Sequence, residues 1–126
     1  MTHPNDNLEA AITAAGADKA PRVTPADIEA EIASEHYFLA GDGVYGAAHK
    51  LGDDSIQTFP GALDLLTFCV LTLRNGFTIT GESACASPTN FRADIGRRVA
   101  RENAVAKIWP LLGFRLRDRL SDDALA

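Results

Sequence analysis

Residues 65–73 read LLTFCVLTL, and Arg74-Asn75-Gly76-Phe77 and Thr78-Ile79-Thr80-Gly81-Glu82 follow directly. This stretch decides the fold. Leu66, Phe68 and Val70 point one way and Leu65, Cys69, Leu71 and Leu73 the other, so both faces are apolar, as in a strand covered on both sides. Asn75-Gly76 is the pair that most readily accepts positive φ at both central positions of a two-residue type I′ turn. Such a turn sets Arg74 against Phe77, Thr72 against Ile79 and Val70 against Gly81, and leaves Thr78, Thr80 and Glu82 on the outward face of the return strand.

Downstream, Gly81-Glu82-Ser83-Ala84-Cys85-Ala86 and Ser87-Pro88-Thr89-Asn90 are built of small residues that allow close backbone approach. Ser87-Pro88 or Asn90 can start the next helix. In it Phe91, Ile95, Val99, Asn103 or Ala104, and Ile108 recur at helical spacing, predicting the buried stripe. Arg97 and Arg101 share a neighbouring face, and Asp94, Arg98 and Glu102 form a charge series at four-residue spacing. Pro110 removes a helical hydrogen bond, so a kink or break is expected near Trp109, with a second helix carrying Leu112, Leu116 and Leu120 on one side and Arg115 and Arg119 on another.

Upstream, residues 1–20 have a weak helical stretch from Leu8 to Ala15 and read as a mobile arm ahead of a single domain over residues 21–126. Thr24-Pro25, with Asp27 in the first turn, opens a helix, and Ile28 and Ile32 share its face to about Ser34. His36 to Ala40 reads as a strand, Gly41-Asp42-Gly43 as a turn, and residues 46–61 as an irregular loop. The fold class is therefore α+β: an antiparallel β-sheet with a central hairpin, packed with an N-terminal helix and two C-terminal helices.

The chain has 126 residues, 46% of them apolar, and a formal net charge of −5. No apolar run reaches membrane-spanning length, because Asp64 and Arg74 flank the most hydrophobic one, and the amino terminus has no export signal pattern; the expected location is cytoplasmic. The charge is uneven. Residues 91–120 hold eight basic side chains against three acidic ones, and the remainder holds four against fourteen. A basic helical segment in an acidic chain suits capture of a discrete phosphate-bearing ligand better than coating of a long polyanion. A solvated helix face would have the same composition.

Catalytic signatures are absent. Gly81-Glu82-Ser83-Ala84-Cys85 lacks the second glycine of a nucleophile elbow, and the phosphate-loop, dinucleotide and zinc-protease motifs do not occur. Cys69 and Cys85 read as reduced, packed thiols, and His3, His36 and His49 are too scattered for a metal set. No catalytic residue, metal or cofactor is expected, and the chain reads as a binder. Phe77 and Phe91 offer rings to a base, Asn90 and Asn103 offer amides to a base edge or ribose, and Arg97, Arg101, Arg115 and Arg119 offer forks to phosphate oxygens. Packing is the plainer role for each ring, and helix capping for Asn90.

The wording of residues 67–91, TFCVLTLRNGFTITGESACASPTNF, and of residues 95–120, IGRRVARENAVAKIWPLLGFRLRDRL, resembles bacteriophage gp-type proteins, and among them the phage anti-Thoeris sponge family. The likeness spans residues 24–120, apart from the 46–61 loop. It implies an antiparallel sheet with two C-terminal helices, homo-oligomers from dimer to hexamer, and action in the cytoplasm of an infected bacterial host. It also implies sequestration, without degradation, of cyclic ADP-ribose isomers made by TIR-domain proteins, with cyclic di- or trinucleotides as a second ligand class. The pocket implied uses an aromatic ring, an amide and arginines. Its competitor is a phage module that docks a host protein or nucleic acid through the basic helices.

Overall fold

A computed structural model describes residues 4–52 and 60–125. In chain order these form α1 (Pro4–Ala14), α2 (Pro25–Glu31), β1 (Ile32–Leu39), α3 (Ala40–Lys50), β2 (Leu66–Leu73), β3 (Thr78–Ala84) and α4 (Ala93–Leu125), with short 3-10 turns at Gly61–Leu65 and Pro88–Asn90. The α+β class is as expected from the sequence. The chain divides into two compact units: Glu31–Ile108, which contains the sheet, and a helical unit of residues 4–30 with residues 109–125.

In the sheet unit β2 is central, with β1 and β3 antiparallel on either side. Burial alternates strictly along β2, and Thr67, Cys69, Leu71 and Leu73 are all buried. The hairpin register differs from the sequence expectation by one residue: Thr72 faces Thr78, Leu71 faces Ile79 and Cys69 faces Gly81. The turn is the reason. Gly76 N–H donates to the Leu73 carbonyl at 2.9 Å, Leu73 N–H donates to Phe77 O at 2.8 Å, and only Gly76 takes positive φ, at 88°. This is a three-residue loop closed by a left-handed glycine, which suits a hairpin as well as the two-residue turn does. Asn75 contributes through its side chain, whose Oδ1 accepts from Phe77 N–H at 3.0 Å. The register puts Ile79 and Gly81 on the buried face with Leu71 and Cys69, while Thr78, Thr80 and Glu82 remain outward as expected.

The first part of α4 lies over that face through Gly96, Ala100, Ala104 and Ile108, all buried. The predicted stripe is thereby rotated by about one residue, since Ile95 and Val99 are exposed. Small residues are selected because the backbones nearly touch: a Cβ on Gly81 would collide with the Ala100 carbonyl and the Ala104 amide. One flank of α4 then reaches the β3 edge of the sheet. Asn103 Nδ2 donates to Glu82 O at 2.7 Å and Lys107 Nζ to Thr80 O at 2.6 Å. Four residues of helix rise about 6 Å and two residues of strand about 6.6 Å, so an i, i+4 pair can match alternate carbonyls along a strand.

Four further expectations change. Helix α2 ends at Glu31, and the chain from Ile32 joins β2 with an irregularity between Ile32 and Ser34, so pairing overrides the helical spacing of Ile28 and Ile32. Gly41-Asp42-Gly43 is not a turn but the opening of α3, which has Asp42 in its first turn, His49 and Lys50 in its last, and Gly52 at φ 70° beyond it. In the expected 46–61 loop, residues 46–50 are helical and 61–65 form a 3-10 turn, while 53–59 lie outside the described residues. Lastly, α4 runs through Pro110 as one helical element, so the two expected C-terminal helices are one. The lost bond would have been accepted by Ala106 O, and Ala106 and Pro110 are both exposed, where water can satisfy that carbonyl.

In the helical unit, α1 occupies part of the expected arm, and Arg22 Nη2 donates to both carboxylate oxygens of Glu9, at 2.8 and 2.7 Å. Ile28 and Leu112 are buried and Leu116 and Leu120 half-buried. Thr24 and Asp27 cap α2 reciprocally: Asp27 N–H donates to Thr24 Oγ1 at 3.2 Å and Thr24 N–H to Asp27 Oδ2 at 2.9 Å. The Thr24 backbone N–H, then its hydroxyl, hold the Asp27 carboxyl below its ordinary value, with smaller contributions from the charges of Arg22 and then Arg119. A depressed carboxyl contributes stability that is present above its ordinary value of 3.8 and lost as pH falls through the folded-state value. Urea unfolding across that range should show Asp27→Asn removing this part of the acid dependence. Thr24→Ala should lower stability by about 1 kcal/mol at neutral pH.

Candidate functional site

The end of the sheet away from the hairpin carries a cavity of about 250 Å³ within the sheet unit. Its wall comes from four elements: Tyr37, Phe38 and Leu39 at the end of β1, Asp42 in the first turn of α3, Thr67 near the start of β2, and Ala93 and Arg97 in the first turns of α4. The topology explains the meeting. β1 passes into α3 with no intervening loop, and Leu39 pairs with Thr67 across β1 and β2. Gly96 lets α4 begin close above them, since a Cβ there would lie 2.8 Å from Thr67 Oγ1.

The polar groups differ in their commitments. Thr67 is 2% exposed, and its hydroxyl is buried without a hydrogen-bond partner among the described residues. Such a group ordinarily finds one. The Tyr37 hydroxyl donates to Glu35 Oε1 at 2.9 Å, and Arg101 Nε meets Glu35 Oε2 at 3.3 Å, so one carboxylate ties β1 to α4. Burial first, and then the Glu35 carboxylate, push the Tyr37 phenol above its ordinary range. Burial also pushes up the thiol of Cys69, which faces Tyr37 across the strands. Both stay neutral and hold their places near the cavity. On the opposite sheet face the Phe38 ring stacks on Phe68 with centroids 5.5 Å apart.

The residues singled out from sequence do not form one cluster in a single sheet unit. Arg97 lines the cavity, and Phe91 is half-buried close to Gly96, just ahead of α4. Asn90 is exposed at the end of a 3-10 turn, its N–H donating to Ser87 O at 3.1 Å. Arg101 engages Glu35, and the Asn103 amide donates to the edge of β3. Phe77 is half exposed in the hairpin loop, past the far end of β2, about 20 Å from Thr67 at the rise of an extended strand. Arg115 and Arg119 are exposed side chains of the helical unit. Sequence reasoning missed Tyr37, Asp42 and Thr67. Thr67 offered the best signal, a hydroxyl on the buried side of a strongly apolar strand.

Residues 23–120 match the family model described as phage protein (N4 Gp49/phage Sf6 gene 66) family. The chain belongs to that family. The match takes in every residue of the cavity wall and both helix starts that border it, so the cavity lies within the part of this gp49/gene 66 phage protein that the family shares. No curated protein and no solved structure matches it. Among the described residues of this phage-family protein, no group of three or more His, Cys, Asp or Glu side chains is placed to hold a metal ion, and no helix is long and apolar enough to cross a membrane.

Proposed function

We propose that this phage protein binds a cyclic ADP-ribose-type signalling nucleotide, holds it without degrading it, and so blocks the TIR-dependent (Thoeris) immunity of the infected cell. The observation that carries the reading is the position of Arg97, a permanent cation on a cavity where α3 and α4 both begin. Helix starts present backbone N–H groups and the positive end of the helix dipole, and a guanidinium adds a bidentate fork for phosphate. The resemblance of residues 67–91 and 95–120 to the sponge family supplies the ligand class. Sequestration asks only for affinity and for enough sites to exceed the messenger.

The test is release. The protein is loaded with cyclic ADP-ribose isomers, washed and heat-denatured, and the supernatant is analysed by mass spectrometry. Recovery of the loaded mass is expected, and recovery of a hydrolysed product removes the reading. Native mass spectrometry of the same mixture reports the copies per complex and any bound cyclic di- or trinucleotide. A second reading, docking of an acidic host protein or RNA through the basic helix, is favoured by Phe114, which is 71% exposed beside Arg115. It prevails if micromolar cyclic ADP-ribose does not bind while RNA or a host protein does.

A further inference from the structure

The sheet has two open edges, β1 on one side and β3 on the other. In an antiparallel ladder, directly opposed residues alternately exchange both backbone bonds and turn their N–H and C=O groups away from each other. Leu73 N–H donates to Phe77 O and Cys85 N–H to Leu65 O, so Leu71 with Ile79 and Cys69 with Gly81 are exchanging pairs. Thr80 and Glu82 therefore turn their backbone groups outward, along the free edge of β3. By the same alternation Phe68 and Val70 turn toward β1 and exchange with Phe38 and His36, and Glu35 and Tyr37 turn outward along the free edge of β1. The two edges differ in cover. The outward carbonyls of Thr80 and Glu82 are taken by Lys107 and Asn103 of α4, a side-chain guard against a further strand. The outward N–H and C=O groups of Glu35 and Tyr37 make no hydrogen bond to any described residue. On this side α4 sends Arg101 to the Glu35 carboxylate and leaves the backbone open, and Ala33, Glu35, His36 and Phe38 are exposed.

We infer that the sheet is extended at β1, and that the added strand is β1 of a second copy, antiparallel across a two-fold axis at His36. An open strand edge is completed by another strand, which a nucleic acid cannot supply. β1 carries its own complement. A two-fold normal to the sheet opposes residues of the same face, and the outward groups belong to residues such as Glu35 and Tyr37, so few registers exist. An axis at Glu35 sets two carboxylates against each other. An axis at Tyr37 sets Glu35 against Leu39, which is already the N-cap of α3. An axis at His36 sets Glu35 against the second copy's Tyr37 on both sides of the two-fold, a carboxylate acceptor against a phenol donor, and overlaps the strands through residues 33–39. Within one copy this pair already bonds, Tyr37 Oη donating to Glu35 Oε1. The product is one antiparallel sheet of twice the three strands, with α4 of both copies on the same face. Its outer edges are the two guarded β3 strands, so association closes at the dimer instead of running on as a fibre.

The test is amide hydrogen exchange resolved by residue, run on the full chain without nucleotide from micromolar to millimolar concentration, with sedimentation equilibrium on the same samples. A monomer–dimer equilibrium is expected. The Glu35 and Tyr37 amides should exchange at least about tenfold more slowly in the dimer, as in a paired ladder, while those of Thr80 and Glu82 stay fast at every concentration. His36→Glu, at an exposed position, sets two carboxylates against each other at the axis and should weaken the dimer about fivefold, the upper end for like charges directly opposed. His36→Thr should keep it. Both variants should melt with the parent at micromolar concentration. A chain that stays monomeric throughout overturns the proposal. So does a dimer in which the Glu35 and Tyr37 amides remain fast, or in which those of Thr80 and Glu82 slow instead. Slow Glu35 and Tyr37 amides in a species of monomer mass mean that another segment of the same chain covers the edge, and overturn it too. None of these outcomes bears on whether the protein holds a cyclic ADP-ribose signal.

Discussion

Gly81→Ala should lower the stability of the protein by about 3 kcal/mol or more and the thermal midpoint by roughly 10 °C, the upper end of what overpacking a core does. The added methyl would strike the Ala100 carbonyl and the Ala104 amide and come within 2.8 Å of the Ala104 Cα. These are backbone atoms, so no rotamer change can relieve the contact. Either β3 bends away from β2 or α4 lifts, and lifting strains the Asn103 bond to Glu82 O and the Lys107 bond to Thr80 O. A matched control is Gly46→Ala, at an exposed position inside α3 with nothing within 4 Å, which should stabilise by up to about 1 kcal/mol. Equal midpoints for the two variants in a calorimetric scan would mean that β3 and α4 do not approach as described.

Ile108→Ala should cost about 2 to 5 kcal/mol, whereas Ile95→Ala should fall within about 1 kcal/mol of the parent. Ile108 has no exposed surface and ends the Gly96, Ala100, Ala104 row, so truncation leaves a void. Ile95 is 57% exposed and loses little on truncation. Urea unfolding of both variants measures the difference. Comparable losses would restore the Phe91, Ile95, Val99 stripe expected from hydrophobic spacing alone. The error in that expectation has a physical source. Hydrophobic spacing follows large apolar side chains, whereas a helix set close on a sheet selects small ones, and glycine and alanine carry little signal in such a count.

Other misjudgements share that form. The Asn-Gly pair identified the hairpin correctly, but whether the loop holds two or three residues depends on how Ile79 and Gly81 fit beneath α4, and burial of Ile79 settled the register. Gly41-Asp42-Gly43 looks like a turn when read locally. As the opening of α3 it makes use of acidic residues at a helix start and basic ones at its end, signals that flanking glycines obscured. Pro110 was assigned the helix break it often causes, although the helix continues through it at a stretch where Ala106 and Pro110 are exposed and water can satisfy the freed carbonyl. Of the candidate site, Arg97 was legible as a cation on a helix face. Tyr37, Asp42 and Thr67 were not, because their meeting depends on β1 running straight into α3 and on Gly96 admitting the Thr67 hydroxyl.

By itself, the sequence determined that this chain builds an antiparallel hairpin around an apolar strand, that a basic helix follows it, and that the Thr24 to Asp27 segment caps a helix. Those features depend on neighbours within a few residues, where turn chemistry, alternation and capping act. Tertiary structure alone decided which face of α4 is buried, which residues stand opposite one another in the sheet, and which polar groups share a cavity. Each of these is set by the fit of backbones brought together from distant parts of the chain, where one added methyl on Gly81 is too much.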